Sequence, residues 1–165
     1  MGVLTQDMRD ILASAMLAFV ATVRRDGSPS LSPKASTIPY DDDRLLFVDL
    51  ASPQTIANLR NDPRIEINSV DFIRRRGYRF AGTAQVLESG PIYDWGRAWL
   101  LKHHGPEYPT NHVVLIKLHS AEPLMSPVYT FGGRKEEEVR STYRQIYGLI
   151  PTGDENAAPV IGSFL

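Results

Sequence analysis

The chain has 165 residues, 42% of them hydrophobic and 22% charged, a size and balance that fit one soluble globular domain with a sizeable core. Its 18 Lys and Arg against 19 Asp and Glu leave a formal net charge of -1, so no overall field draws nucleic acid or an anionic membrane. Cysteine is absent, which excludes disulfides, thiolate metal ligands and a cysteine nucleophile.

Thr5 to about Ala15 reads as a helix, with Met8, Ile11, Leu12 and Ala15 at helical spacing. The apolar run Ile11 to Val23 is too short to cross a bilayer. Asp7 and Asp10 precede it where a signal peptide carries basic residues, so a cytoplasmic protein with no membrane partner is expected. Phe19 to Arg24 reads as a strand with Phe19, Ala21 and Val23 on one side. Asp26-Gly27 turns a hairpin, and Pro29 to Ile38 is the returning strand. Its period of two puts Ser30, Ser32, Lys34 and Ser36 on one face and Leu31, Pro33 and Ala35 on the other. A lysine among hydroxyls suits an anion or a polar ring edge. Taken alone, the strand is better read as a solvated edge strand, which Pro33 permits.

Asp41-Asp42-Asp43 makes the next turn and Arg44 to Leu50 is the third strand. It runs into a helix over Ser52 to Asn61, with Ser52 at the N-cap, Pro53 at the first helical position and Asp62-Pro63 as the stop. A helix opened by small hydroxyl residues offers free N–H groups and a positive dipole end, a fit for a phosphate. Taken alone, an ordinary capped helix is the better account of it.

Arg64 to Asp71 is the fourth strand, Ile65 and Ile67 facing inward. Arg74-Arg75-Arg76-Gly77 turns the chain, and Tyr78 to Glu88 is a long fifth strand. Gly82 and Ala84 in it mark a close approach or a barrel bend. The basic and aromatic mixture Arg74 to Phe80 has a nucleic-acid reading, but without a wider basic patch it reads better as a turn. Pro91 to His103 is a helix with Trp95 and Trp99 on one face. His112 to Leu118 is the sixth strand. Arg134 to Tyr147 is a final helix whose buried stripe is Val139, Tyr143, Ile146 and Tyr147.

The expected fold is mainly β: a six-stranded antiparallel barrel with flanking helices, one domain over residues 1–147, followed by an irregular tail over 148–165. No metal site is expected. His112 and His119 are seven apart and oppose on a regular strand, His103 and His104 diverge by about 100° on a helix, and no His-Glu-x-x-His occurs. Nucleophile-elbow, phosphate-loop and dinucleotide signatures are missing, and no catalytic acid or base is assigned.

One ordered set of short motifs runs from Ala18 to Leu87: Ala21-Thr22-Val23, Asp26-Gly27-Ser28-Pro29, Ser32-Pro33-Lys34, Leu46-Phe47-Val48, Ser52-Pro53-Gln54-Thr55, Asn58-Leu59-Arg60, Asp62-Pro63-Arg64 and Gly77 to Ala84. In order and spacing it resembles the flavin-binding split-barrel family related to pyridoxamine 5'-phosphate oxidase. The resemblance implies a six-stranded split barrel and a homodimer with FMN at the subunit interface. It implies that Ser32, Pro33, Lys34, Ala35, Ser36 and Thr37 line the flavin ring and ribityl chain. Phe47 and Val48 would approach through backbone atoms, Ser52, Pro53, Gln54 and Thr55 would meet the phosphate, and Gly77 or Tyr78 would lie near the ring or tail. The chain departs from the vitamin enzyme in two places. Pro53-Gln54 stands where that enzyme carries Arg-Lys, leaving either Lys34, Arg60, Arg76 or Arg79, or N–H groups and hydroxyls alone, to compensate. Its C-terminal Arg-x-His signature is also missing. The expected function is a small FMN-dependent oxidoreductase acting on a small-molecule substrate. The alternative is a non-catalytic split-barrel module that binds or senses a ligand such as a deazaflavin or haem.

Overall fold

The computed structural model describes residues 2–149. The tail expected over 148–165 lies outside them except for Gly148 and Leu149. Helix α1 (Gln6–Ala15) starts at Thr5, whose Oγ1 accepts the Met8 N–H at 3.3 Å, and it buries Met8, Ile11 and Leu12. β1 (Ala18–Val23) and β2 (Pro29–Lys34) form the expected hairpin. Gly27 takes φ +84°, the left-handed value that an Asp-Gly turn needs. In β1 Ala18, Val20 and Thr22 face the core and Phe19, Ala21 and Val23 face away.

There follow β3 (Ile38–Pro39), β4 (Arg44–Asp49), α2 (Pro53–Asn61), β5 (Arg64–Asp71) and β6 (Arg76–Leu87). After these come α3 (Pro91–His104), β7 (His112–Met125), α4 (Pro127–Thr130) and α5 (Glu136–Ile146). Every neighbouring pair of strands is antiparallel, in the order β2-β1-β5-β6-β7-β4-β3. The result is a mainly β, half-barrel sheet with flanking helices.

The sheet has seven strands rather than six. The single strand expected over Pro29 to Ile38 breaks at a turn through Ala35 and Ser36 into β2 and the two-residue β3. Ser36 spends its hydroxyl on the backbone of Val48, donating to its carbonyl and accepting its N–H, both at 3.0 Å. That contact takes the place of a continuing ladder. β7 runs on past Leu118 to Met125, because its polar second half pairs with the first half of β6 and needs no burial to stay extended. The expected close approach in β6 is a bulge between Ala81 and Gly82, where a Cβ on Gly82 would lie 2.5 Å from the Lys117 carbonyl oxygen.

β4 is covered on both faces, which accounts for its unbroken apolar run. Leu45 and Phe47 enter the main core with Val20, Ile67, Phe80 and Ile116. Leu46 and Val48 enter a second cluster with Leu100 and Val113 beneath α3. The stripe expected on α5 is only one residue deep. Val139 is buried, Tyr143 and Ile146 are half-buried, and Tyr147 is exposed. Tyr143 instead stacks under the Arg75 guanidinium, 4.8 Å from ring centre.

The two ends of the sheet, β2 and β3, are consecutive in the chain, so the sheet curls until they meet. Along this seam ladder pairing gives way to side-chain bonds, and a polar site opens there.

Candidate functional site

Lys34 ends β2 and is 6% exposed. Its ammonium donates to Ser32 Oγ and, at 2.9 Å, to Ser52 Oγ across the seam. The Phe47 ring centre lies 5.8 Å from Nζ. Burial pushes the Lys34 ammonium below its usual pKa, and attraction to the Asp49 carboxylate opposes that push. Asp49 is itself 2% exposed. Its Oδ1 accepts the Ser52 N–H at 2.8 Å and its Oδ2 lies 2.9 Å from His112 Nδ1.

Ser52 occupies the cap position of α2 but does not cap it. Its hydroxyl is taken by Lys34, its N–H is tied to Asp49, and φ -127°, ψ 58° is not the extended cap conformation. The N–H groups of Gln54 and Thr55 in the first turn therefore keep no side-chain partner from Ser52 and have none within the helix. A buried cation, two hydroxyls and an uncapped helix start form a donor set for an oxyanion.

Pro33, Lys34, Ala35, Ser36, Val48 and Ser52 share the wall of one cavity of about 260 Å³. Leu100 and His104 of α3, and Tyr108 beyond it, close the other side. Thr37 is buried behind Lys34, with Oγ1 3.5 Å from the Lys34 carbonyl oxygen. Pro53, Gln54 and Thr55 form the first turn of α2 and do not line this cavity, and Gln54 instead borders a separate one with Arg24, Arg25 and Asp26. Gln54 Nε2 donates to Asn58 Oδ1 at 2.7 Å, and Asn58 Nδ2 donates to Thr22 Oγ1 at 2.9 Å, which anchors α2 on β1. Gly77 and Tyr78 are not among the residues lining the cavity. They begin β6, where the Tyr78 hydroxyl donates to Asp7 Oδ2 at 2.5 Å.

Of the four cations considered for the missing Arg-Lys pair, Lys34 alone touches the Ser52 loop. Arg60 pairs with Glu88 and donates to His112 Nε2 at 3.2 Å. Arg76 is held by Asp7 and Glu136. Arg79 lies against Asn68 and Glu66.

Sequence reasoning missed Asp49, His112, Leu100, His104 and Tyr108. One signal for Asp49 was present, an acid closing the otherwise apolar run Leu45 to Val48. Its partner had no such signal, because only the β4–β7 register sets Asp49 opposite His112. The α3 residues come to the cavity through packing of the second cluster.

Residues 4–124 match the pyridoxamine 5'-phosphate oxidase family. Similar solved structures include HupZ of Group A Streptococcus, 32% identical, with TM-score 0.68, covering 74% of this chain and 95% of that one. An FMN-binding protein from Syntrophomonas wolfei is 16% identical, with TM-score 0.65 and coverage of 72% and 84%. A pyridoxamine 5'-phosphate oxidase-related, FMN-binding protein from Nostoc punctiforme is 16% identical, with TM-score 0.53 and coverage of 72% and 78%. The last two show the fold alone. No curated protein matches the chain. With most of its length matched to the family and its fold shared with these structures, the chain belongs to the flavin-binding split-barrel family related to pyridoxamine 5'-phosphate oxidase.

Proposed function

We propose that the protein is an FMN-dependent oxidoreductase acting on a small molecule in the cytoplasm, as a homodimer with the flavin between its subunits. The observation that carries this reading is the buried Lys34 ammonium set against Ser52 at an uncapped helix start. Lys34, the Ser52 hydroxyl and the first-turn N–H groups of α2 hold the FMN phosphate. This makes up with backbone donors and one buried cation for the charges absent at Pro53-Gln54. When bound, the flavin supplies hydride and electron transfer. The chain supplies the anchor, the walls and the exclusion of water.

A second subunit fits the size of the cavity. About 260 Å³ falls short of the roughly 300–1,000 Å³ usual for a whole small-molecule pocket. The outward sheet face around Leu31, 67% exposed, offers an apolar surface for the other copy.

Purified protein is expected to be yellow and to bind one FMN per chain in a fluorescence titration. Sedimentation should give a dimer, and a nicotinamide nucleotide should reduce the bound flavin. A colourless protein indifferent to added FMN overturns the cofactor assignment. Saturable binding of a deazaflavin in its place would reassign the ligand. Tight FMN binding with no reduction by any nicotinamide donor would leave a binding module.

A further inference from the structure

The pair Asp49 and His112 lies behind the anion site without lining its cavity. The two residues face each other directly on the β4–β7 ladder. The Asp49 carboxylate is 2% exposed, so each of its oxygens needs a donor. Oδ1 has the Ser52 N–H at 2.8 Å and Oδ2 has His112 Nδ1 at 2.9 Å. On the far side of the imidazole, Arg60 Nη2 stands 3.2 Å from Nε2. A guanidinium can only donate, so Nε2 accepts and the ring proton belongs on Nδ1, pointing at Asp49. Glu88, 3.8 Å from Nε2, pairs with Arg60 and keeps it there.

One line of hydrogen bonds thus runs from α2 through β7 and β4 to the loop that meets Lys34. Arg60 donates to His112, His112 and the Ser52 amide donate to Asp49, and Lys34 donates to the Ser52 hydroxyl. It explains why Ser52 leaves its cap role. Its N–H is turned inward to a buried carboxylate, which orients its hydroxyl toward Lys34.

We propose that Asp49 and His112 are positioning residues that fix Ser52 for a phosphate-bearing ligand at the Lys34 site. The ligand part of this statement rests on the FMN reading above; the positioning part does not.

The test compares the wild type with His112→Phe, His112→Asn and Asp49→Asn, reading the FMN dissociation constant and the Ser52 amide NMR resonance. Phe leaves Asp49 Oδ2 without a donor, while the Asn side chain places an N–H where Nδ1 stands. His112→Phe should weaken FMN binding about tenfold and shift the Ser52 resonance, given the strength of hydrogen bonds to charged groups. His112→Asn should restore both, with binding within about threefold of wild type. Equal affinity in the wild type, His112→Phe and His112→Asn overturns the proposal. So does equal loss in both variants, which would mark a packing role only.

Should His112→Phe fail to fold, Asp49→Asn decides. Its single amide oxygen can accept from only one of the Ser52 N–H and His112 Nδ1–H, so the variant should weaken FMN binding and shift the Ser52 amide resonance. An unchanged Ser52 resonance with unchanged affinity overturns the proposal. If the wild type binds no FMN, the cofactor reading fails by itself. The Ser52 resonance then judges the pair, and its indifference to His112→Phe counts against it.

Discussion

Lys34 Nζ lies 2.9 Å from Ser52 Oγ, so the last residue of β2 and the residue that opens α2 meet across the barrel seam. A buried ammonium is costly unless hydrogen-bonded. Ser32 and Ser52 meet part of that need, and an arriving anion would meet the rest.

Lys34→Met keeps the apolar stem and removes the charge. Losing a charge-assisted hydrogen bond of about 1.5–3 kcal/mol should weaken FMN binding about 10- to 100-fold by fluorescence titration. An unchanged dissociation constant would place Lys34 outside the ligand site.

Ser36→Ala should destabilise the fold without touching a charge. The hydroxyl bridges the Val48 N–H and carbonyl, and the residue is buried, so both backbone groups lose a partner. The cost should be about 1–3 kcal/mol in a denaturant unfolding curve. A smaller change would mean that β4 pairs elsewhere along the seam.

Acid should loosen the contact of α1 with β6. Arg76 holds Asp7 with Nη1 and Nη2, each at 2.9 Å, and the Tyr78 hydroxyl joins them. The Arg76 hydrogen bonds, then that of Tyr78, lower the Asp7 pKa from 3.8 to about 2. A depressed carboxyl pKa contributes stability that is present above the unfolded value. That share is lost as pH falls from about 4 through 2. Asp7 is 44% exposed, so solvent screens much of the effect. Asp7→Asn should flatten this part of the stability–pH profile. An identical profile in the variant would assign the acid sensitivity to other groups.

Gly77→Ala should disturb the sheet before it disturbs any ligand. A Cβ there would stand 2.0 Å from the Ser69 carbonyl oxygen and 2.7 Å from Val70 Cα, both backbone atoms of β5. Overpacking of this kind costs about 1–3 kcal/mol. The melting temperature of ligand-free protein should fall. An unchanged melting temperature with weakened FMN binding would instead make Gly77 a ligand contact.

Much of the fold was legible locally. Alternating Ile65 and Ile67 marked the inner face of β5, Asp26-Gly27 marked the hairpin, and Pro53 and Asp62-Pro63 bounded α2. Where the reading differed, the cause was a contact between distant residues. The β2–β3 break follows from Ser36 reaching Val48, and the length of β7 follows from its pairing with β6.

The sequence by itself determined the mainly β class, the order of elements and the two segments, Ser32 to Thr37 and Ser52 to Thr55, that meet at the seam. These depend on periodicity, turn chemistry and helix-start residues, all local properties. Only the tertiary structure decided that Ser52 binds Lys34 instead of capping α2. Only it decided that Arg60, Arg76 and Arg79 are spent on other carboxylates and neighbours, and that Asp49 stands behind the site with His112. Each of those outcomes is a choice among partners 11 to 69 residues apart, set by strand register and by how the sheet closes. No local pattern encodes it.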